Sequence, residues 1–253
     1  MQKTTLLGAI ALILALGGVI FYAATRPATG TLPALALPEG GYSEHAAYYD
    51  IVANYATTTP LRTSVSAPAD RAAVALMQRF VSDTIVQFKT DGKFDRLTPT
   101  DVQVMGFDKG RKETLQIAYL ISSSAHTVSY IFTIYEDTLG AHGNAFFHTF
   151  TFDTTTGAPL SLTDVFLPGA DYLGTLSVLS RAKLPDLIDA PVNASMLAEG
   201  TQPADKNFAA YFLDNRDFVV LFAPYAVAPY SAGPQTLRIP LSDLASILKP
   251  EYR

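Results

Sequence analysis

The sequence contains neither cysteine nor tryptophan among its 253 residues. The absence of cysteine excludes disulfide bonds, thiolate-ligated zinc, iron–sulfur clusters and thiol nucleophiles. Charged residues make up only 16% of the chain and hydrophobic residues 49%, so the composition is that of a chain that buries a core. Its 18 lysine and arginine residues against 23 acidic residues give a net charge of −5, which argues against a nucleic-acid partner.

Motifs of common enzyme classes are also missing. The sequence has no G-x-S-x-G, H-E-x-x-H, P-loop or G-x-G-x-x-G pattern. Residues 180–183 (SRAK) match the S-x-x-K pattern of serine acyl enzymes, but the companion S-D-N and K-T-G elements do not occur. We interpret this match as a solvated helix face. These absences leave the sequence without a common catalytic motif, and we expect no cofactor.

Two of the four histidines suggest a metal-site hypothesis. His142 and His148 are separated by an even number of residues, so they would share one face of a continuous strand. Glu136 or Asp137 could then supply a further ligand. Glycines on both sides of His142 place that residue in a turn instead. We therefore predict no metal site, but a turn histidine and a strand histidine that hydrogen-bond to the backbone.

The longest uncharged run lies near the amino terminus. Residues 5–24 carry no charge, and as a helix rising about 1.5 Å per residue they would span roughly 30 Å, the thickness of a bilayer core. This pattern favours an uncleaved membrane anchor, with residues 1–4 in the cytoplasm and the C-terminal part of the chain outside it. The alternatives are a cleaved signal peptide, whose apolar core is usually about 7–15 residues long, followed by secretion, and a buried helix of a soluble protein.

The remaining sequence predicts an α+β fold. Residues 25–44 are rich in proline and glycine and read as a linker. Strand patterns then occur in runs, interrupted by two amphipathic helices at about 70–88 and 171–187 and followed by a short C-terminal helix at 241–248. This order favours a mainly antiparallel sheet over a doubly wound one. We divide it into an N-terminal α+β part (45–130) and a C-terminal α+β domain (131–253). The predicted strands are 48–55, 102–107, 114–122, 127–137, 146–152, 218–223 and 236–239.

A segment near the C-terminus repeats proline at every fifth position. Pro224, Pro229 and Pro234 stiffen it, and Tyr225 and Tyr230 follow the first two prolines. Proline fixes φ and lacks an amide donor, so this segment must be a rigid connection and not a central strand. Rigid loops lose little entropy on binding, and the ring faces would suit sugar stacking. The alternative is that both tyrosines cover the core.

Three motifs carry a resemblance to a known family. They are a G-A-H-x-N turn at residues 140–144, an F-x-F-D-x-x-T-G hairpin at 150–157 and a P-Y-x-x-A-P-Y-x-A-G-P loop at 224–234. They resemble the C-terminal extracytoplasmic domain of RsiV-type proteins, which also occurs beside the catalytic domain of PdaC-type peptidoglycan deacetylases. The resemblance covers about residues 46–249. It implies an α+β extracellular domain pair on a single-span membrane protein, without catalytic activity of its own.

The departures from this family limit what can be carried over. RsiV-type proteins are anti-sigma factors whose outer domain binds lysozyme, but only residues 1–4 precede the predicted span, so we expect neither an anti-sigma segment nor a deacetylase domain. Gly143 stands where the family often has proline. Ala223 and Ala226 stand where acidic or amide residues are common. Lysozyme binding therefore does not follow directly from the resemblance.

These observations together predict a non-enzymatic, membrane-anchored bacterial surface domain. We expect it to bind a cell-wall-related ligand such as peptidoglycan, or an extracellular protein such as lysozyme. The predicted contact residues are His142, Asn144, Tyr225 and Tyr230. Two alternatives remain open. One is a hydrolase of envelope polymers that uses the histidines, and the other is a structural or assembly subunit of the cell surface.

Overall fold

Two β-sheets and five α-helices make up the described part of the chain, which is residues 35–59 and 67–253 of the computed structural model. The predicted membrane segment at 5–24 lies outside these ranges, as do residues 1–4. Within the described ranges, no helix is long and apolar enough to cross a membrane. The elements are β1 (Tyr42–His45), β2 (Tyr49–Ala53), α1 (Ala67–Gly92), α2 (Pro99–Met105), β3 (Glu113–Ser123), β4 (Thr127–Asp137), β5 (Asn144–Asp153), β6 (Pro159–Leu160), α3 (Leu162–Val165), α4 (Tyr172–Lys183), α5 (Ala194–Gly200), β7 (Tyr211–Leu213), β8 (Asp217–Phe222) and β9 (Gln235–Pro240).

The main sheet contains β1 to β6 in sequence order, and the second sheet contains β7, β8 and β9. Every pair of neighbouring strands is antiparallel except β2 and β3, which run parallel because α1 and α2 connect them. The prediction of an α+β fold with a mainly antiparallel sheet is therefore confirmed for the described residues.

Helix α1 covers one face of the main sheet. Its apolar residues recur at helical spacing, so Met77, Val81 and Ile85 lie on one stripe and are fully buried. They pack with the inward residues of the strands, among them Tyr130 and Phe132. Asp70 in its first turn and Lys89 in its last turn suit the helix dipole.

The second sheet covers part of the opposite face. Ile131 of β4 packs against Phe212 and Val219 of the second sheet. The layers are also joined by hydrogen bonds, because Thr149 Oγ1 accepts from the amide of Tyr211 at 3.1 Å. Helix α4 closes the far side of the second sheet with a separate apolar core. The main sheet is consequently the middle layer of three over β4 and β5.

The segment predicted as a strand at 102–107 is a helix in the structure. Thr98 and Asp101 form a capping box at the start of α2, and Pro99 occupies the first turn. Gly106 then ends the helix with a left-handed φ of 75°. The strand was predicted from the β propensity of the valines in the segment. The capping hydrogen bonds outweigh that propensity, so the segment forms a helix.

Several predicted boundaries also differ from the structure. The division between 130 and 131 falls inside β4, which pairs with β3 and β5 along most of its length. Leu35–Arg253 forms one compact unit, so the sheet does not separate there. Strand β1 begins at Tyr42, within the predicted linker. Helix α4 ends at Lys183, because Pro185 continues the chain as a 3₁₀ turn, and the predicted C-terminal helix is a 3₁₀ turn at Leu241–Leu244.

The buried carboxyl of Glu113 makes stability depend on pH. Burial, together with Asp137 and Glu136, raises the pKa of Glu113 to about 7 from the ordinary 4.5. The folded state thus binds this proton more tightly than the unfolded state does. The contribution of Glu113 to stability is therefore greatest below pH 4.5 and is lost as the pH rises through about 7.

We expect Glu113→Gln to stabilise the fold at pH 8 by up to about 3 kcal/mol, at about 1.4 kcal/mol per pKa unit, and to change it little at pH 4.5. Urea unfolding at both pH values measures the difference. Glu251→Gln, at an exposed position, is the control and should be neutral at both. Equal effects of Glu113→Gln at the two pH values would contradict this account.

Candidate functional site

Three of the four predicted contact residues meet beside the turn that joins β4 and β5. His142 lies in the turn between β4 and β5, and Tyr225 and Tyr230 lie in the connection between β8 and β9. The rings of His142 and Tyr230 stack with centroids 3.6 Å apart and an interplanar angle of 18°. The Tyr225 ring is 6.0 Å from His142 and 5.5 Å from Tyr230. We call His142, Tyr225 and Tyr230 the aromatic platform.

A single carbonyl group holds the platform in place. His142 Nδ1 donates to the Gly143 carbonyl oxygen at 2.9 Å, because a carbonyl can only accept. The Tyr230 hydroxyl donates to the same oxygen at 2.8 Å, which occupies both of its lone pairs. The Nε2 atom of the neutral imidazole then accepts from the Tyr225 hydroxyl at 3.1 Å. The tautomer of His142 and the orientations of both tyrosines are thus set by neighbouring groups.

The platform is open to solvent on one side. Tyr225 is 50% exposed, His142 is exposed and Tyr230 is half-buried. The same proline-rich connection buries Val227 and Ala228 in the core of the second sheet. The interpretation in which both tyrosines cover the core is therefore wrong for Tyr225: the residues between the tyrosines enter the core, and Tyr225 faces outward.

Two close approaches position the platform. A Cβ on Gly200 of α5 would lie 1.8 Å from the Ala226 carbonyl oxygen, so the connection can reach its place only because residue 200 is glycine. A Cβ on Gly143 would lie 2.1 Å from the Tyr135 hydroxyl. Glycine rather than proline at position 143 therefore leaves room for the Tyr135 ring.

Tyr225 adopts a left-handed φ of 68°, an uncommon conformation for a non-glycine residue.

The fourth predicted residue, Asn144, has a different environment. It begins β5 opposite Glu136, and its Oδ1 accepts from the amide of Ala145 at 3.1 Å. The half-buried side chain is thus engaged with the start of its own strand. It follows Gly143 directly but is not one of the stacked rings.

His148 lies on β5 as predicted, but its environment is apolar. Its ring stacks on Phe80 of α1 with centroids 4.3 Å apart, and it also contacts Phe150. Burial lowers the pKa of His148 to about 4, so the ring is neutral near pH 7. His142 contacts Tyr225 and Tyr230 and His148 contacts α1, so the structure does not bring the two histidines into one site. Among the described residues, no cluster of three or more histidine or acidic side chains could hold a metal ion.

No sequence pattern indicated which residues support the platform. Tyr135, Gly143 and Gly200 act through close packing between segments distant in the sequence. A glycine at the end of a helix, such as Gly200, is normally read as a helix-ending signal. Its role against Ala226 required the tertiary arrangement of α5 and the proline-rich connection.

Comparisons with known proteins relate the chain to one family of unassigned function. Residues 163–242, about a third of the chain, match the family described as "Protein of unknown function (DUF3298)". The chain is 30% identical over 177 residues to the peptidoglycan-N-acetylmuramic acid deacetylase PdaC of Bacillus subtilis (strain 168), covering 70% of this chain and 36% of that protein. It therefore spans little more than a third of the length of that relative.

Similar chains also occur among solved structures. A member of the DUF3298 family from Bacteroides fragilis superposes with a TM-score of 0.55 at 17% identity, covering 83% of this chain and 91% of the other. A DUF3298 protein from Pseudomonas aeruginosa PAO1 gives a TM-score of 0.48 at 15% identity, covering 87% and 97%. The first of these similarities shows the fold alone. The family match and the similarity to PdaC support the DUF3298 family broadly and do not single out RsiV-type proteins.

We expect Gly200→Ala to displace the proline-rich connection, because the new methyl group would collide with the backbone at Ala226. Overpacking of this kind costs about 1–3 kcal/mol. Urea unfolding measures the loss of stability, and the nuclear Overhauser effect between the His142 and Tyr230 rings reports on the stacking. The control is Gly140→Ala, since no heavy atom lies within 4 Å of its Cβ position. Indistinguishable behaviour of the two variants would refute the close-approach argument.

Proposed function

We propose that this chain is a membrane-anchored, extracytoplasmic binding domain, and that the aromatic platform is its contact surface for a cell-wall glycan. The observation that carries the proposal is the set of three stacked or adjacent rings, open to solvent and already fixed by hydrogen bonds. The membrane anchor is the uncharged segment at 5–24 of the sequence.

The chemistry of the platform suits a sugar. Carbohydrate sites combine flat aromatic faces, which cover the C–H faces of a pyranose ring, with a few polar groups that meet its hydroxyls. The Tyr225 hydroxyl and the His142 ring present such polar groups beside the ring faces. Because the rings are already held in place, little side-chain entropy is lost when a ligand binds.

The relative of known activity supports the same class of ligand. PdaC is described as a deacetylase of peptidoglycan N-acetylmuramic acid, and this chain is similar to it over 177 residues. An enzyme that works on an insoluble polymer benefits from a part that holds it on that polymer, since this raises the effective concentration of the substrate. A glycan-binding role for the similar segment fits that requirement.

Binding suits the geometry of the platform better than bond cleavage by His142. Both ring nitrogens of His142 are already engaged, Nδ1 with the Gly143 carbonyl and Nε2 with the Tyr225 hydroxyl. The hydroxyl that contacts Nε2 is the phenol of Tyr225, and among the described residues no serine or threonine hydroxyl hydrogen-bonds to His142 for it to activate as a nucleophile. The arrangement therefore favours a ligand contact over the hydrolase alternative at this position.

We expect Tyr225→Ala with Tyr230→Ala to weaken binding of the full chain to purified peptidoglycan fragments by roughly tenfold or more, at about 0.5–1.5 kcal/mol per aromatic contact. The melting temperature should change little. Co-sedimentation with the fragments measures binding. Leu120→Ala, which truncates a side chain that is 72% exposed on β3, is the control.

Other outcomes would count against the glycan. Capture of lysozyme but not of wall fragments, lost in the double tyrosine variant, would identify a protein ligand instead. A large fall in melting temperature in the double variant would assign the tyrosines to the core. Equal binding by the double variant and the wild-type chain would exclude the platform as the contact surface.

A further inference from the structure

A second group of polar side chains lies on the β1–β2 hairpin, away from the aromatic platform. Ser43 Oγ lies 3.2 Å from His45 Nε2, and His45 Nδ1 lies 2.9 Å from Asp50 Oδ1. Nucleophile, base and orienting carboxylate are thus joined in the order that acyl-transfer enzymes use. We propose that Ser43, His45 and Asp50 form an acyl-transfer triad that hydrolyses O-acyl esters.

The hairpin register brings these residues together. Ser43 and His45 are two residues apart on β1, so their side chains lie on the same face, and Asp50 is the direct partner of His45 on β2. Lys112 Nζ lies 3.0 Å from the same oxygen of Asp50. Hydrogen bonds from His45 and Lys112 lower the pKa of Asp50, so the carboxylate is charged and anchored.

The hydrogen bonds specify the tautomer that a general base requires. The ionised carboxylate of Asp50 can only accept, so His45 Nδ1 carries the hydrogen. The lone pair on Nε2 then accepts from the Ser43 hydroxyl. Here, in contrast to the platform, Nε2 is bonded to an aliphatic hydroxyl that can act as the nucleophile. Ser43 is exposed and the His45 side chain is 66% exposed, so a substrate can reach both.

Backbone donors are available at the same edge. Among the described residues, β1 is the outermost strand of the main sheet. The amide of Ala46 donates to the Tyr49 carbonyl, so Ala46 and Tyr49 form a hydrogen-bonded pair of the ladder. Pairs alternate along an antiparallel ladder, so Ser43 and His45 stand at non-hydrogen-bonded positions. Their N–H groups point away from β2, toward an edge that no other strand of the described residues occupies. Such amides can stabilise the negative charge that develops on an attacked carbonyl oxygen.

The reaction proceeds in two balanced steps. The Ser43 oxygen attacks the ester carbonyl carbon while His45 Nε2 takes the hydroxyl proton, and the carbonyl electron pair moves onto its oxygen. Collapse breaks the bond to the alkoxy oxygen, which receives the proton from His45 and leaves as the alcohol. Water then attacks the acyl-serine with His45 as the base, releasing the carboxylic acid and restoring Ser43.

The open position of the triad indicates the class of substrate. A short acyl group on an extended, solvent-exposed polymer can approach an edge strand without an enclosing cavity. In the register of the sheet, Asp50 on β2 pairs with Thr114 on β3, and Thr114 pairs with Asp137 on β4, so the three side chains share one face. Tyr135, two residues before Asp137, is on the same face, and its ring lies close to Gly143 in the turn that carries His142. The triad and the platform therefore lie at the same end and face of the main sheet, two to four strand spacings or about 10–19 Å apart. That one polymer contacts both sites rests on the proposed function, whereas ester hydrolysis does not.

The test uses the full chain with two small probes, a fluorophosphonate that labels active serines and p-nitrophenyl acetate. We expect peptide mapping to find the fluorophosphonate on Ser43. Ser43→Ala should abolish labelling, and Ser43→Ala, His45→Gln and Asp50→Asn should each lower the rate of ester hydrolysis by about 100-fold or more. The matched controls are Ser123→Ala, at the exposed end of β3, and His126→Gln, at an exposed position in the turn between β3 and β4, and these should leave both readouts unchanged.

The outcomes separate the triad from simpler explanations. Hydrolysis that survives Ser43→Ala but is lost with His45→Gln would be catalysis by a lone imidazole, and it would overturn the proposal. Absence of labelling in a wild-type chain that shows a cooperative unfolding transition would also overturn it. Labelling of Ser43 without binding to wall fragments would uphold the triad and refute the glycan-binding function, whereas binding without labelling would do the reverse.

Discussion

Strand β4 is covered on both faces, and the rest of the described structure depends on this constraint. Residues 127–132 are all buried, although a strand with one wet face would alternate. Tyr130 and Phe132 face α1, whereas Ile131 faces the second sheet. The polar residues on the second face must be satisfied internally, and the Ser129 hydroxyl hydrogen-bonds Thr151 at 2.9 Å. Because both layers close on β4, the turn that follows it has little freedom of position.

The aromatic platform results from this three-layer packing. His142 lies in the turn after β4. The second sheet packs on the same strand, and its proline-rich connection carries Tyr225 and Tyr230 to the His142 ring. One backbone carbonyl, at Gly143, then fixes the relative orientation of His142 and Tyr230. The hairpin of β1 and β2 is at the opposite edge of the main sheet but at the same end, so two polar sites of different chemistry share one surface.

Sequence periodicity predicted those elements whose pattern reflects burial. The stripe of α1 was recognisable because every third or fourth residue is apolar, and β2 because Ile51 and Ala53 alternate with exposed positions. The same logic failed at α2, where two valines indicated a strand and capping by Thr98 decided for a helix. Strand β4 was predicted at 127–137, the bounds that the structure shows, because its residues have high strand propensity even though burial on both faces removes the alternation. Only the division at 130/131 was placed within that strand.

By itself, the sequence determined the α+β class, the turn position of His142 and the irregular backbone of the proline-rich connection, since these follow from residue spacing and from the backbone chemistry of glycine and proline. Only the tertiary structure decided that His142, Tyr225 and Tyr230 meet while Asn144 does not join them, and that Ser43, His45 and Asp50 form one hydrogen-bonded chain. The physical reason is register and layer packing. The contacts of the platform join residues more than eighty positions apart and depend on how the two sheets pack against each other, which no local pattern encodes. Ser43, His45 and Asp50 lie within eight residues, and their contact depends on the register of one hairpin.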